Sequence, residues 1–146
     1  MKPGVAVLLT AFAGGLVAMQ APINSHLGRA VGTFAAAAVS FTIGTLILVG
    51  ITVVSGSKAD LGAIGGLQWY YLLGGALGAA YVTTVLVSVR TLGAGGVTAA
   101  TITGQLTTSV VLDRVGAFGL EEKPVSLARV VGVVLLAAGV FLIVRD

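Results

Sequence analysis

Long apolar stretches separated by single charged residues dominate the pattern along this chain. Five intervals without internal charge are long enough, or nearly so, for an α-helix to cross the roughly 30 Å hydrocarbon core of a membrane, which takes about 20 residues. The pattern therefore predicts an all-α integral membrane protein in which one membrane domain spans residues 1–146. The five predicted transmembrane helices cover residues 4–23, 32–54, 68–89, 94–112 and 126–144.

Local signals set the predicted ends of these helices. Pro22 removes a backbone hydrogen bond and can kink or stop the first helix, so residues 24–29 are predicted to form an interfacial turn. The connection at 91–93 is short, which predicts that the third and fourth helices form an antiparallel hairpin. Residues 113–125 form the longest polar loop, and Ser126 after it is a predicted N-cap of the fifth helix.

Composition supports a membrane protein and excludes several functions. The chain is 57% hydrophobic and 9% charged, whereas soluble domains carry about 25% charged residues. The net charge of +3 comes from eight basic residues scattered singly, so we expect a lipid bilayer rather than a nucleic acid as partner. With no cysteine and one histidine, and without a phosphate-binding glycine loop, we expect no metal, no cofactor and no enzyme activity.

The distribution of basic residues gives only a weak preference for one orientation in the membrane. Five basic residues are predicted on one side, and they are Lys2, Lys58, Arg114, Lys123 and Arg129. Three are predicted on the other, and they are Arg29, Arg90 and Arg145. This bias favours a cytoplasmic N-terminus but permits insertion both ways, and therefore an antiparallel homodimer. With an odd number of helices, two copies in tandem necessarily form an inverted repeat.

Two carboxamides near the end of the first helix form the first candidate site. Gln20 and Asn24 are four residues apart, so they share one helix face. One interpretation is that they line a polar cavity, where amides both donate and accept hydrogen bonds and suit a polar or zwitterionic ligand. The other is that they are interfacial caps that hold the bend at Pro22.

Gln105 in the fourth predicted helix is the second candidate. It lies on a polar stripe with threonines at helical spacing, and these hydroxyls can bond to their own backbone. The larger amide of Gln105 needs another partner. It either makes a hydrogen bond between helices or lines a substrate cavity.

The charged residues suggest an ion pair but no buried acid. No Asp or Glu lies inside any predicted helix, although proton-coupled exporters of cations usually hold a carboxylate there. Asp113 and Arg129 lie at neighbouring ends of the fourth and fifth helices. We expect them to form an ion pair across the loop, either structural or acting as a gate.

Several motifs, taken in order, resemble one family of small membrane proteins. The run from Gln20 to Gly28 reads Q-x-P-I-N-x-x-L-G, and Ser40-Phe41 is followed by Gly44. Gly104-Gln105-Leu106 leads to Asp113, with Gly116 and Gly119 behind it. The chain ends on Ser126-Leu127, Arg129, Gly132, Leu135 and Gly139, and Trp69 and Tyr81 are aromatic where the family has aromatics. This arrangement resembles the YdcZ-like family of bacterial inner-membrane proteins.

The resemblance implies a function and an assembly. That family is grouped with the drug/metabolite transporter superfamily, usually as exporters, and its members are similar to one half of ten-helix transporters. The chain is then expected to be half of an inverted-repeat transporter that pairs with an inverted copy or a homologous chain. It lacks the first-helix glutamate of the small multidrug resistance proteins, so their drug/proton exchange is not implied.

The leading hypothesis is therefore a secondary transporter that moves a small polar or amphipathic solute by alternating access. Gln20, Asn24 and Gln105 are expected to line its site, with Trp69 and Tyr81 stacking on the ligand. The alternative is a membrane module that does not transport, acting as an assembly partner of another membrane protein or as a small channel subunit.

Overall fold

The regular secondary structure of the described residues is entirely helical. A computed structural model describes residues 2–56 and 60–145. The described α-helices are α1, Pro3–Val31; α2, Thr33–Val54; α3, Leu73–Val115; and α4, Leu127–Arg145. Short 3-10 helices lie at Leu61–Gly66, Trp69–Leu72 and Ala117–Gly119. The prediction of an all-helical chain is confirmed for the described residues.

Four helices in the described residues are long and apolar enough to cross a membrane, with the third counted from Trp69 to Val115. In the most apolar part of each, at most 11% of the residues are buried within the chain. Most of the apolar side chains are therefore exposed, which suits helices that face lipid or other helices.

Helix α1 is longer than the sequence predicts. Pro22 lies inside it, and the helix continues through 24–29 to end at Val31, where the Gly32 N–H bonds the Gly28 carbonyl. The prediction of a turn at 24–29 was therefore wrong. A proline removes only one helical hydrogen bond, and in membrane helices neighbouring groups compensate for that loss.

Helix α3 contains a break at Gly93, whose φ of 67° and ψ of 173° are not helical. Its 43 residues would extend about 65 Å if unbroken, twice the thickness of a hydrocarbon core. The break divides α3 into a first segment, 73–92, and a second segment, 94–115. The third and fourth helices were predicted to separate at this position.

The chain divides into two compact units, one of residues up to Arg90 and the other from Thr91 onward. The core of the first unit contains small side chains of α2 and larger ones of α3. Its members are Ala36, Ala37, Val82 and Leu86, with Leu27 and Tyr81 packed against them. In the second unit a Cβ on Gly96 would lie 3.4 Å from the Val144 side chain, so α4 packs beside this part of α3.

The loop before α4 is closed by backbone bonds. The Lys123 N–H donates to the Asp113 carbonyl oxygen at 2.8 Å, and Gly116 has a φ of 60° that favours glycine. Ser126 precedes α4, and its Oγ accepts the Arg129 N–H at 3.3 Å. The predicted N-cap at Ser126 is confirmed.

Candidate functional site

Two buried polar side chains mark the candidate site in the first unit. Asn24 and Ser25 on α1 are each 5% exposed, and they are the buried polar residues of the described part of the chain. The Asn24 Oδ1 accepts a hydrogen bond from the Ser40 Oγ of α2 at 3.0 Å. This bond offsets part of the cost of burying the amide, and it joins the first two helices.

Ser25 connects α1 to the first segment of α3. The Arg90 Nε donates to the Ser25 Oγ at 3.4 Å. One turn along α1, a Cβ on Gly28 would lie 2.7 Å from the Leu86 Cδ2 and 3.0 Å from the Arg90 Nη2. Only glycine therefore allows this approach without a shift of the neighbouring side chains.

Arg90 also lies close to the C-terminal turn of α1. The free carbonyls of a helix C-terminus carry partial negative charge, which favours a nearby cation. Arg90 is exposed, so its guanidinium remains accessible. No carboxylate of the described residues lies within ion-pair distance of it.

A narrow cleft lies between α1 and the first segment of α3, beside Asn24. Its lining residues are Val17, Gln20, Ala21, Asn24, Tyr81, Val82, Val85 and Leu86. The cleft has a volume of about 10 Å³, which is the space of about one water molecule. Its lining is mixed, with the polar side chains of Gln20, Asn24 and Tyr81 beside apolar ones.

Three of the predicted site residues meet at this cleft. Asn24 is buried, Tyr81 is half-buried and Gln20 is exposed, and all three line it. Trp69 does not line it. The Trp69 side chain is 72% exposed, and its ring centre lies 6.3 Å from that of Tyr70.

Gln105 belongs to the second unit. Its side chain is exposed and makes no hydrogen bond to another described residue. Its backbone carbonyl accepts from the Ser109 Oγ at 2.7 Å. Several nearby hydroxyls bond within their own helix, as Thr101 does to the Thr98 carbonyl at 3.0 Å.

Asp113 and Arg129 form the expected ion pair, with the Arg129 Nη1 3.1 Å from the Asp113 Oδ2. The two side chains are 34% exposed for Arg129 and 29% for Asp113. Together with the backbone bond from Lys123, the pair closes the loop between α3 and α4. The geometry is consistent with either predicted role, structural or gating.

The second unit also contains a larger, open groove of about 490 Å³. It is lined by Leu92, Ala100, Ala137, Val140, Phe141, Val144 and Arg145. Apart from Arg145, these side chains cannot form hydrogen bonds, so the groove has little with which to select a polar solute. Among the described residues, no group of three potential metal ligands occurs.

Sequence reasoning did not identify three residues of the site. In the sequence alone, Ser40 is part of a motif, Arg90 is a basic residue at a helix end, and Ser25 is part of a predicted turn. Their contacts join residues 16 and 65 positions apart, and local periodicity carries no information about such distant pairs. The small residues around Ser40 on α2 were the one available signal, because they permit close helix packing.

Comparison with known proteins identifies the family. The family described as "Putative inner membrane exporter, YdcZ" matches residues 5–142. No curated protein matches the chain, and no solved structure matches it. Because the family match extends over nearly the whole chain and agrees with its apolar helices, the chain belongs to the YdcZ family of inner-membrane proteins.

Proposed function

We propose that this protein is a secondary transporter that exports a small polar or amphipathic solute by alternating access. The observation that carries the proposal is the buried Asn24 amide beside a cleft. Burying an amide costs free energy unless its polar atoms form hydrogen bonds. In a chain with so few polar groups, those bonds come either from a neighbouring helix or from a ligand. Membership of a family described as inner-membrane exporters supports the ligand.

In this proposal the cleft opens alternately to the two sides of the membrane. Its present size admits about one water molecule, so it represents a closed form of the site. Opening requires the first segment of α3 to move relative to α1. This motion separates the Leu86 and Arg90 side chains from α1 at Gly28 and breaks the 3.4 Å hydrogen bond between Arg90 and Ser25.

We further propose five membrane crossings, with α3 contributing two of them on either side of Gly93. Each segment of α3 has about the 20 residues that one crossing needs. A chain with five crossings becomes an inverted repeat when it pairs with an inverted copy or a homologous chain. In this assembly the protein is one half of a drug/metabolite-type transporter in a bacterial inner membrane.

Gln105 and Trp69 are each proposed to take part in solute binding in the assembled transporter. An amide without a protein partner is expensive in a membrane, so Gln105 is proposed to bind solute or a group of the second chain. The exposed Trp69 ring is available to stack on a ligand. The Asp113–Arg129 pair is proposed to hold the α3–α4 loop closed on one side of the membrane.

Flux through the purified protein in proteoliposomes tests the proposal. Saturable uptake of one solute from a broad panel is expected, and Asn24→Ala and Gln105→Ala should each reduce it at least tenfold. Gln68→Ala is the matched control, because Gln68 is also an exposed glutamine but has no proposed role in solute binding. Folding of each variant is checked by its thermal unfolding midpoint.

The alternative of a non-transporting membrane module predicts a different result. It predicts no saturable flux for any solute in the panel, even though the protein folds and inserts. A channel subunit would instead give flux that does not saturate. Either result would reject the transporter.

A further inference from the structure

The Asn24 amide, which lies beside the cleft, carries two N–H donors. Its Oδ1 is occupied by the Ser40 hydroxyl at 3.0 Å, whereas its Nδ2 bonds no described residue. No side-chain nitrogen or oxygen of the described residues is both buried and without a partner, so the Nδ2 is reached from outside the protein. Because Asn24 lines the cleft, its two N–H groups are available to a ligand there.

Arg90 is not among the residues that line the cleft, but it places positive charge near it. It lies one helical turn beyond Leu86, which lines the cleft, and its Nε bonds Ser25, the neighbour of Asn24. A guanidinium has five N–H donors and no acceptor, so one bond to Ser25 leaves donors for a ligand. No acidic residue lines the cleft, and no described carboxylate pairs with Arg90.

The size and walls of the cleft indicate how a ligand would enter. A space of about one water molecule also accommodates one oxygen atom of a larger ligand. Val82, Val85 and Leu86 form an apolar wall beside it. A ligand fits both surfaces if its charged oxygen lies at the N–H donors and its apolar body lies along this wall.

We propose that the solute carries an oxyanion, such as a carboxylate, on an apolar body. One oxygen accepts hydrogen bonds from the Asn24 Nδ2, and the Arg90 guanidinium supplies the opposing charge. This inference rests on the proposed transport function and specifies its substrate class as anionic. A cation would meet donors and a positive charge at this site, and its binding is therefore disfavoured.

Three probes of the same shape and different charge test this selectivity. Benzoate is an anion at neutral pH, benzamide is neutral and benzamidinium is a cation. The purified protein is placed in phosphatidylcholine nanodiscs, and the thermal unfolding midpoint is followed as each probe is titrated, because a ligand of the folded state raises it. Benzoate should raise the midpoint, benzamide less and benzamidinium not at all; the reverse order would overturn the proposal.

Two variants attribute the binding to this site. Asn24→Asp keeps an acceptor for the Ser40 hydroxyl but removes both N–H donors, and Arg90→Gln removes the charge. Each should weaken benzoate binding about tenfold or more, as expected for a charge-assisted hydrogen bond. Arg29→Gln is the control. It also removes one positive charge, but from the last turn of α1, and it should leave the affinity unchanged.

If Asn24→Asp fails to fold, two variants of Arg90 still test the proposal. Arg90→Lys retains the charge and should retain more affinity than Arg90→Gln. Unchanged benzoate affinity in Arg90→Gln, in a folded protein, would overturn the proposal.

Two further measurements are needed: one distinguishes a solute from a lipid as the source of the oxyanion, and the other distinguishes the oxyanion site from the transport function. Anionic lipid also carries an oxyanion, so the titration is repeated with phosphatidylglycerol in the nanodiscs. Stabilisation by this lipid alone, with none by benzoate, would overturn the assignment to a solute. In proteoliposomes, benzoate binding without flux supports the oxyanion site but contradicts transport, whereas Asn24-dependent flux of benzamidinium supports transport and overturns the oxyanion site.

Discussion

At the scale of single residues, Gly28 determines how closely α1 and the first segment of α3 approach. A Cβ there would lie 2.7 Å from the Leu86 Cδ2, and Leu86 is 1% exposed, so it has little room to move. Gly28→Ala should lower the free energy of unfolding by about 1–3 kcal/mol, as overpacking does. The measurement is the unfolding midpoint in detergent.

A second glycine of the same helix provides the control for this prediction. A Cβ on Gly15 would meet nothing within 4 Å. Gly15→Ala should therefore be neutral, or stabilising by up to about 1 kcal/mol through helix propensity. Equal losses from both substitutions would mean that α1 and α3 do not meet at Gly28.

The hydrogen bond between Asn24 and Ser40 is the second feature at this scale. A double-mutant cycle of Asn24→Ala and Ser40→Ala should give a coupling free energy of about 0.6 kcal/mol, up to about 1.7, as for other hydrogen bonds between membrane helices. Thr42 is the matched control. Its Oγ1 bonds the Ala38 carbonyl of its own helix at 2.8 Å, so a cycle of Asn24→Ala with Thr42→Ala should show no coupling.

At the scale of helices, the break at Gly93 is the feature on which the number of crossings depends. Its φ and ψ of 67° and 173° lie in a region that essentially only glycine adopts. If the break lies at the membrane surface, a cysteine in place of Thr91 should react with a membrane-impermeant maleimide. Ile102→Cys, inside the second segment of α3, should react only after denaturation.

The chain suits this labelling experiment, because it contains no cysteine and each variant therefore carries one thiol. Labelling is measured on intact vesicles and again in denaturant. Protection at both positions in vesicles would contradict two crossings by α3 and favour a break buried among other helices.

The helices themselves could largely be predicted from sequence, whereas the contacts between them could not. Charge-free intervals predicted where helices lie, and Gly93 and Ser126 were placed correctly because a helix break and an N-cap are local features. The predicted end of α1 was wrong. A polar residue such as Asn24 suggests a water-facing turn, and its hydrogen bond to Ser40 is not visible in the sequence. Gln20 and Asn24 share a cleft because four-residue spacing places them on one face, but the Arg90–Ser25 contact depends on the fold.

At the scale of the whole molecule, the exposed apolar surface indicates that the chain is completed by its surroundings. No more than 11% of the most apolar part of any of the four candidate membrane helices is buried within the chain. Lipid can cover apolar side chains, but the exposed Gln105 amide gains most from a polar partner. An inverted second copy could provide that partner, which makes orientation in the membrane the decisive property.

The weak bias of five basic residues against three predicts that the wild-type chain inserts both ways. Reporters fused to the C-terminus, one active in the cytoplasm and one active outside it, should therefore both give signal. The variant carrying Arg29→Gln and Arg145→Gln removes two charges from the smaller set, so it should insert with a cytoplasmic N-terminus, and only the external reporter should remain active. Transport should then fall in this variant and recover when a wild-type copy is co-expressed. A single orientation of the wild-type chain would exclude an inverted homodimer and indicate a homologous partner chain instead.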